Sequence, residues 1–150
     1  AAGTTIMDTH NPLLDSILSK KYEEAAKVGV NVYFDLCDLK RMPFDSMDMV
    51  IVLSNLLDNA IRAAEQALPP EVYVRIRKTP EEYLLSVRNR VQYDLDLEDG
   101  KLPGSTKKEN GHGMGLANVQ QVLRKYGAEY TVSCRDRWFR FTCSIPVCNS

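Results

Sequence analysis

Two short runs limit the architecture of this chain more than any other feature. "EVYVRIRK" (71–78) and "EYLLSVRN" (82–89) both read as strands, and only "TPE" lies between them. A connection that short joins antiparallel neighbours, because a parallel return needs a crossover of about a dozen residues or more. An all-parallel doubly wound sheet is thereby excluded. A second pair, "AEYTVSCRD" (128–136) and "WFRFTCSIP" (138–146), repeats the pattern around a turn near Asp136.

Helical periodicity occupies the intervals between these strands. Leu13, Leu14, Ile17, Leu18 and Ala25 recur at helical spacing over residues 12–28, and Gly29 stops that run. "VNVYFDL" (30–36) alternates as a strand. A long helix is predicted over about residues 46–67, with Asp45 or Ser46 as N-cap and "LPP" as its end. "MGLANVQQVLRKYG" (114–127) reads as a third helix, opened by glycines and closed by Gly127. The order predicts a two-layer α/β (α+β) sandwich, a mixed sheet with about three helices on one face. At 150 residues the chain has one domain's worth of core, and 44% of it is apolar. A net charge of −1 does not point to nucleic acid or an anionic membrane. No apolar run approaches the roughly 18 residues of a membrane span. Cys37, Cys134, Cys143 and Cys148 lack the close spacing of a zinc site, and suggest reduced thiols in a cytosolic setting.

The long helix poses a question at "SNLLDNAIRAAEQ" (54–66). Val50, Leu53, Leu57, Ala60, Ile61 and Ala64 form the stripe expected to face the sheet, which leaves Asn55 and Asn59 on the other side with Asp48, Arg62 and Gln66. The simpler explanation is a solvated polar face. Yet Ile51, Val52, Leu56 and Ala63 narrow that strip, and asparagine is a poor helix former whose amide binds things. A carboxamide oxygen can ligate a hard cation such as Mg²⁺, with phosphates supplying further ligands.

"NGHGMGLANV" (110–119) is the second informative stretch. Gly111, Gly113 and Gly115 alternate just before and within the first turn of a helix, where backbone N–H groups and the helix dipole suit phosphate. Lys107 and Lys108 add positive charge upstream. The stretch is neither a Walker A sequence nor a dinucleotide fingerprint, and a plain loop entering a helix would look the same. His112 has no visible general-base partner and reads as a loop residue. Between Arg90 and His112 periodicity vanishes over more than twenty residues, a length that marks a lid or a disordered segment.

In this order, "NLLDNAIRA" and "GHGMGLANV" resemble the N box and second glycine box of the GHKL ATP-binding superfamily. That group includes gyrase-type topoisomerases, MutL and the histidine kinases, and it shares the Bergerat fold. "NPLLDSILSKKYEEAAKVGVNV" and "STKKENGHGMGLANVQQVLRKYG" are further similar to peptide-sensing kinases of the AgrC type. The resemblance spans nearly the whole chain. It implies a single catalytic domain over 1–150 with an ATP lid at about 90–112, and ATP and Mg²⁺ as cofactors. Asn59 would ligate the metal. Asn55 would stand where ATPase relatives place a water-activating glutamate, a base that an amide cannot replace. Arg62 and Lys107 would lie near phosphate. Gly111, His112, Gly113, Met114, Gly115 and Leu116 would form the phosphate-binding start of the helix.

The sequence also departs from that family. Its first glycine box, D-x-G-x-G, is replaced by "SVRNRVQ", so Asn89 would meet adenine without a charge. "WFRF" stands where many relatives carry G-[ST], and Trp138 and Phe139 read as packing residues. His10 lacks phosphoacceptor surroundings and reads as incidental. The resemblance therefore implies a histidine-bearing dimerisation domain and a sensor upstream, and a response regulator downstream. It also implies a monomeric isolated domain on the cytoplasmic side of a membrane-anchored protein. The alternative is a degenerate module of the same fold that binds proteins and little or no nucleotide.

Overall fold

The elements of the computed structural model, which describes residues 7–95 and 112–147, follow in the predicted order. They are α1 (Pro12–Lys27), β1 (Asn31–Leu36), α2 (Ser46–Ala64), β2 (Glu71–Lys78), β3 (Glu82–Arg90), α3 (His112–Lys125), β4 (Glu129–Arg135) and β5 (Trp138–Pro146). Local chemistry sets their ends. The Asn11 side chain accepts from the Leu14 N–H with Pro12 opening the helix, and Asp45 accepts from the N–H groups of Met47 and Asp48. Gly29 and Gly127 take φ of +80° and +65°, so each must lie outside its helix, and α3 therefore ends at Lys125, short of Gly127. Helix α2 stops at Ala64 and not at the expected 67, passing into a turn in which the Ala67 N–H donates to the Ala64 carbonyl.

The sheet order is β1-β2-β3-β5-β4, with β1 parallel to β2 and every other pair antiparallel. Alternation along the strands sends Val72, Val74, Ile76, Leu85, Val87, Phe141, Cys143 and Ile145 to one face. The helices cover that face, where Met49, Val52, Leu53, Leu56, Leu57, Ala60, Ile61 and Ala64 of α2 are buried. Val50, expected in that stripe, is only half-buried, because the buried arc is rotated toward Val52 and Leu56, against α3. Each fully buried aliphatic side chain contributes about 1.5–3 kcal/mol, so this face supplies most of the driving force. Among the described residues the thiols of Cys37, Cys134 and Cys143 are free, and burial raises the Cys143 pKa to about 12. No helix among them is long and apolar enough to cross a membrane.

Two clasps fix the layers. Asp48, in the first turn of α2, accepts from Lys125 Nζ at 2.7 Å and from the Tyr126 hydroxyl at 2.6 Å, tying α2 to the end of α3. Those two donors hold the Asp48 carboxyl below the usual carboxylate range. Its contribution is therefore present above the unfolded carboxylate value and lost as pH falls through the folded one. Asp48→Asn should cost about 1 kcal/mol at neutral pH. In urea unfolding, the gap from wild type should close below about pH 4; a gap unchanged at pH 3 would refute the assignment. The second clasp corrects the reading of His10 as incidental. His10 Nδ1 lies 2.7 Å from Asp38 Oδ2 with its backbone at φ +65°, while Thr9 donates to Asp15 through both N–H and hydroxyl. The entering chain is thereby pinned to α1 and to the segment after β1.

Candidate functional site

Helix α2 packs against both β3 and α3, and its polar strip runs along the α2–α3 groove, where Asp48 pairs with Lys125 and Asn55 meets Gly115. Four of the expected residues have described side chains: Asn55, Asn59 and Arg62 on α2, and Asn89 at the end of β3. Residues 96–111, which hold most of the expected lid with Lys107 and Gly111, lie outside the described residues. His112, Gly113 and Met114 open α3, so their backbone N–H groups belong to its first turn. Those N–H groups have no intrahelical acceptor and carry the helix's partial positive charge.

Asn59 is half-buried. Its Nδ2 is shielded from solvent and has no hydrogen-bond partner among the described residues. Its Oδ1 accepts from Arg62 at 3.3 Å, a long bond to a guanidinium that is itself exposed. An amide left in this condition is costly to the fold alone, since an unmade buried hydrogen bond costs about 1–3 kcal/mol. Its donor set suits a hard cation. Among the described residues no three His, Cys, Asp or Glu side chains converge on a metal. A hard cation could take the neutral Asn59 oxygen and complete its shell from phosphate and water, as Mg²⁺ commonly does.

Asn55 is fixed differently. Its Nδ2 donates to the Ile51 carbonyl one turn back at 2.8 Å, and its Oδ1 lies against Gly115. A Cβ on Gly115 would come within 2.9 Å of that oxygen. Gly115 therefore permits the close approach of α2 and α3, a role the alternating glycines did not reveal. Leu116, expected among the phosphate contacts, has its side chain buried in the core, which leaves its backbone as the part that could meet phosphate. Asp58, adjacent to Asn59 in sequence, is rotated onto α1 and pairs with Lys21 at 2.7 Å. The carboxylate of α2 nearest the groove in sequence is thus engaged elsewhere.

Asn89 occupies the last inward position of β3 and is only 3% exposed. Its Nδ2 donates to the Arg90 carbonyl at 3.0 Å, which leaves the side-chain oxygen as the atom available to accept. Beyond it the chain is held to the β4–β5 turn. Val91 N–H donates to the Arg137 carbonyl and the Arg137 N–H donates to Asp94, so the segment leaving β3 has a fixed base. Trp138 lies on the sheet face away from the helices, and Phe139 packs on the core.

Comparison with known proteins agrees with this architecture. A family model described as GHKL domain matches residues 44–146. Sensor histidine protein kinase HK06 of Streptococcus pneumoniae is 26% identical over 144 residues, covering 91% of this chain and 31% of that protein. Sensor protein SrrB of Staphylococcus aureus is 24% identical over 128 residues, covering 80% of this chain and 22% of that protein. This chain thus spans a third or less of the length of these curated relatives. The catalytic domain of histidine kinase ThkA superposes with a TM-score of 0.73 at 22% identity, with 91% of each chain covered. These relatives do not single out a peptide-sensing subgroup. With the model matched across α2, α3 and four of the five strands, the chain belongs to the GHKL domain family.

Proposed function

We propose that this chain is the catalytic, ATP-binding domain of a two-component sensor histidine kinase. It transfers the γ-phosphoryl group of ATP to a histidine on a separate dimerisation domain. The observation that carries the reading is Asn59, a half-buried amide with a shielded, unpartnered nitrogen and a weakly held oxygen, one turn along α2 from the Asn55–Gly115 contact. The likeness to sensor kinases over most of the chain supports it.

Each side chain then has a task that its position permits. Asn59 Oδ1 would hold Mg²⁺, its second lone pair being free beside the long bond from Arg62, whose guanidinium would stand near phosphate. The N–H groups opening α3 would receive phosphate oxygens, and Lys107, outside the described residues, would add positive charge to them. Asn89 accepts from the adenine amino group. Asn55 supplies no base, and its nitrogen is committed to Ile51, so water in the groove is not activated. ATP, when bound, supplies the phosphoryl group; the chain supplies positioning and charge neutralisation. Upstream dimerisation and sensor segments, a membrane anchor, peptide sensing and a downstream response regulator are parts of the same proposal.

The test is trans-phosphorylation of the separately expressed dimerisation domain with labelled ATP. Acid-labile phosphohistidine should form with wild type and only in the presence of Mg²⁺. No binding of millimolar ADP would instead favour a degenerate interaction module.

A further inference from the structure

The helix-free face of the sheet does not resemble one built only to meet water. Strand register sets Tyr33, Tyr73, Arg88, Arg140 and Ser133 side by side across all five strands, with Arg90 and Trp138 paired in the next row. Tyr33 and Tyr73 stack at 4.6 Å. The Arg88 guanidinium lies 4.6 Å from the Tyr73 ring centre and 4.7 Å from that of Trp138, and Arg90 lies 4.1 Å over Trp138. Arg88 stands directly opposite Arg140, and like charges in that position oppose strand pairing. The ion pairs among the described residues neutralise other arginines. Asp35 takes Arg75 and Arg77 at 3.1 and 2.7 Å, and Glu71 approaches Arg90 at 3.7 Å. None goes to Arg88 or Arg140. Burial against the rings, followed by the charge of Arg140, holds the Arg88 guanidinium below the usual arginine range.

We propose that this face docks an acidic protein segment, which places carboxylates on Arg88 and Arg140 over the Tyr73–Trp138 platform. Charge complementarity identifies the occupant. Among the described residues two adjacent arginines have no carboxylate partner, and one is already ordered between aromatic rings, so less freedom is lost when it takes a bidentate carboxylate. Arginine, tyrosine and tryptophan together are also the usual anchors of protein interfaces. A nucleic-acid backbone fits less well. Asp35 and Glu71 already engage Arg75, Arg77 and Arg90, so the bare positive charge is confined to the Arg88–Arg140 pair, enough for a short acidic peptide but not a track for successive phosphates.

The test is titration of the ¹⁵N-labelled chain with an octaglutamate peptide at low salt. Saturable shifts should appear at the Trp138 indole N–H and along β3 and β5. The double variant Arg88→Gln/Arg140→Gln should bind at least about tenfold more weakly, the loss expected for charged hydrogen bonds. Arg124→Gln, on the exposed side of α3, should bind as wild type. Arg140→Gln alone should raise the thermal midpoint by about 2 °C through relief of repulsion, so lost binding would not reflect lost fold. Shifts confined to α2 and α3, or unaltered binding by the double variant, would overturn the proposal. Tighter binding of a single-stranded DNA octamer at the same residues would overturn the choice of a protein partner.

Discussion

Asn59→Ala is expected to weaken ATP binding in the presence of Mg²⁺ by about 100-fold, roughly 2.7 kcal/mol, and to leave the fold intact. The two halves of that expectation have separate causes. Binding falls because the Asn59 oxygen is the proposed protein ligand to the metal, and an alanine has nothing to put in its place. Stability does not fall because the native amide is poorly satisfied. Its Nδ2 is buried without a partner and its Oδ1 has only the 3.3 Å bond from an exposed arginine. Removing both atoms inside a helix relieves an unmet donor and improves helix propensity. Calorimetric titration with a non-hydrolysable ATP analogue, with Mg²⁺ and again with chelator, measures the first half, and thermal unfolding the second. In chelator the two proteins should agree to within about threefold, because the lost contact runs through the metal. Equal affinities with Mg²⁺ would sink the metal assignment. A variant that binds poorly but also melts early would mean that Asn59 is a structural residue.

What the sequence disclosed depended on how far each signal reached along the chain. The strands around "TPE" and the helix stops at Gly29 and Gly127 are local matters of turn length and backbone conformation, and the structure has them as read. The asparagine pair was legible as a pair, since a four-residue spacing fixes a common direction. Resemblance to the N box separated their roles, but the hydrogen bonds that distinguish them were not legible. That Asn55 spends its nitrogen on Ile51 while Asn59 leaves its own unpartnered depends on what α3 and Arg62 bring to each side chain. Leu116 shows the same limit. A motif assigns it to the phosphate loop as a position, whereas helix rotation places its side chain in the core. The open sheet face was invisible for a further reason. Arg88 and Arg140 are 52 positions apart, and only strand register reveals that they face each other.

Gly115 is where sequence motif and packing make different demands on one atom. The same change, Gly115→Ala, is expected to be destabilising in one background and stabilising in another. In wild type the new methyl would meet Asn55 Oδ1 at 2.9 Å, and Asn55 cannot easily yield because its amide is anchored to Ile51 at 2.8 Å. Overpacking of this kind costs about 1–3 kcal/mol, which outweighs the 1 kcal/mol or so that alanine gains over glycine in a helix. A net loss of about 1–2 kcal/mol should follow. With Asn55→Ala already in place the oxygen is gone, the methyl fills the space, and the propensity term is left to act. Gly115→Ala should then stabilise by about 0.5–1 kcal/mol. The resulting coupling of about 1.5–3 kcal/mol lies in the upper part of the range for residues in contact. Urea unfolding of the four proteins in this cycle measures it. Additive effects would mean that α2 and α3 part freely at this contact. Nucleotide binding provides an independent readout of the same geometry. If the groove requires the close approach of α2 and α3, the single Gly115→Ala variant should lose at least about tenfold in ATP affinity by tilting the α3 N–H groups away from the Asn59 side. The double variant should recover most of it, because Asn55 supplies spacing and no chemistry. Recovery of stability without recovery of binding would instead assign Asn55 a direct contact with the ligand.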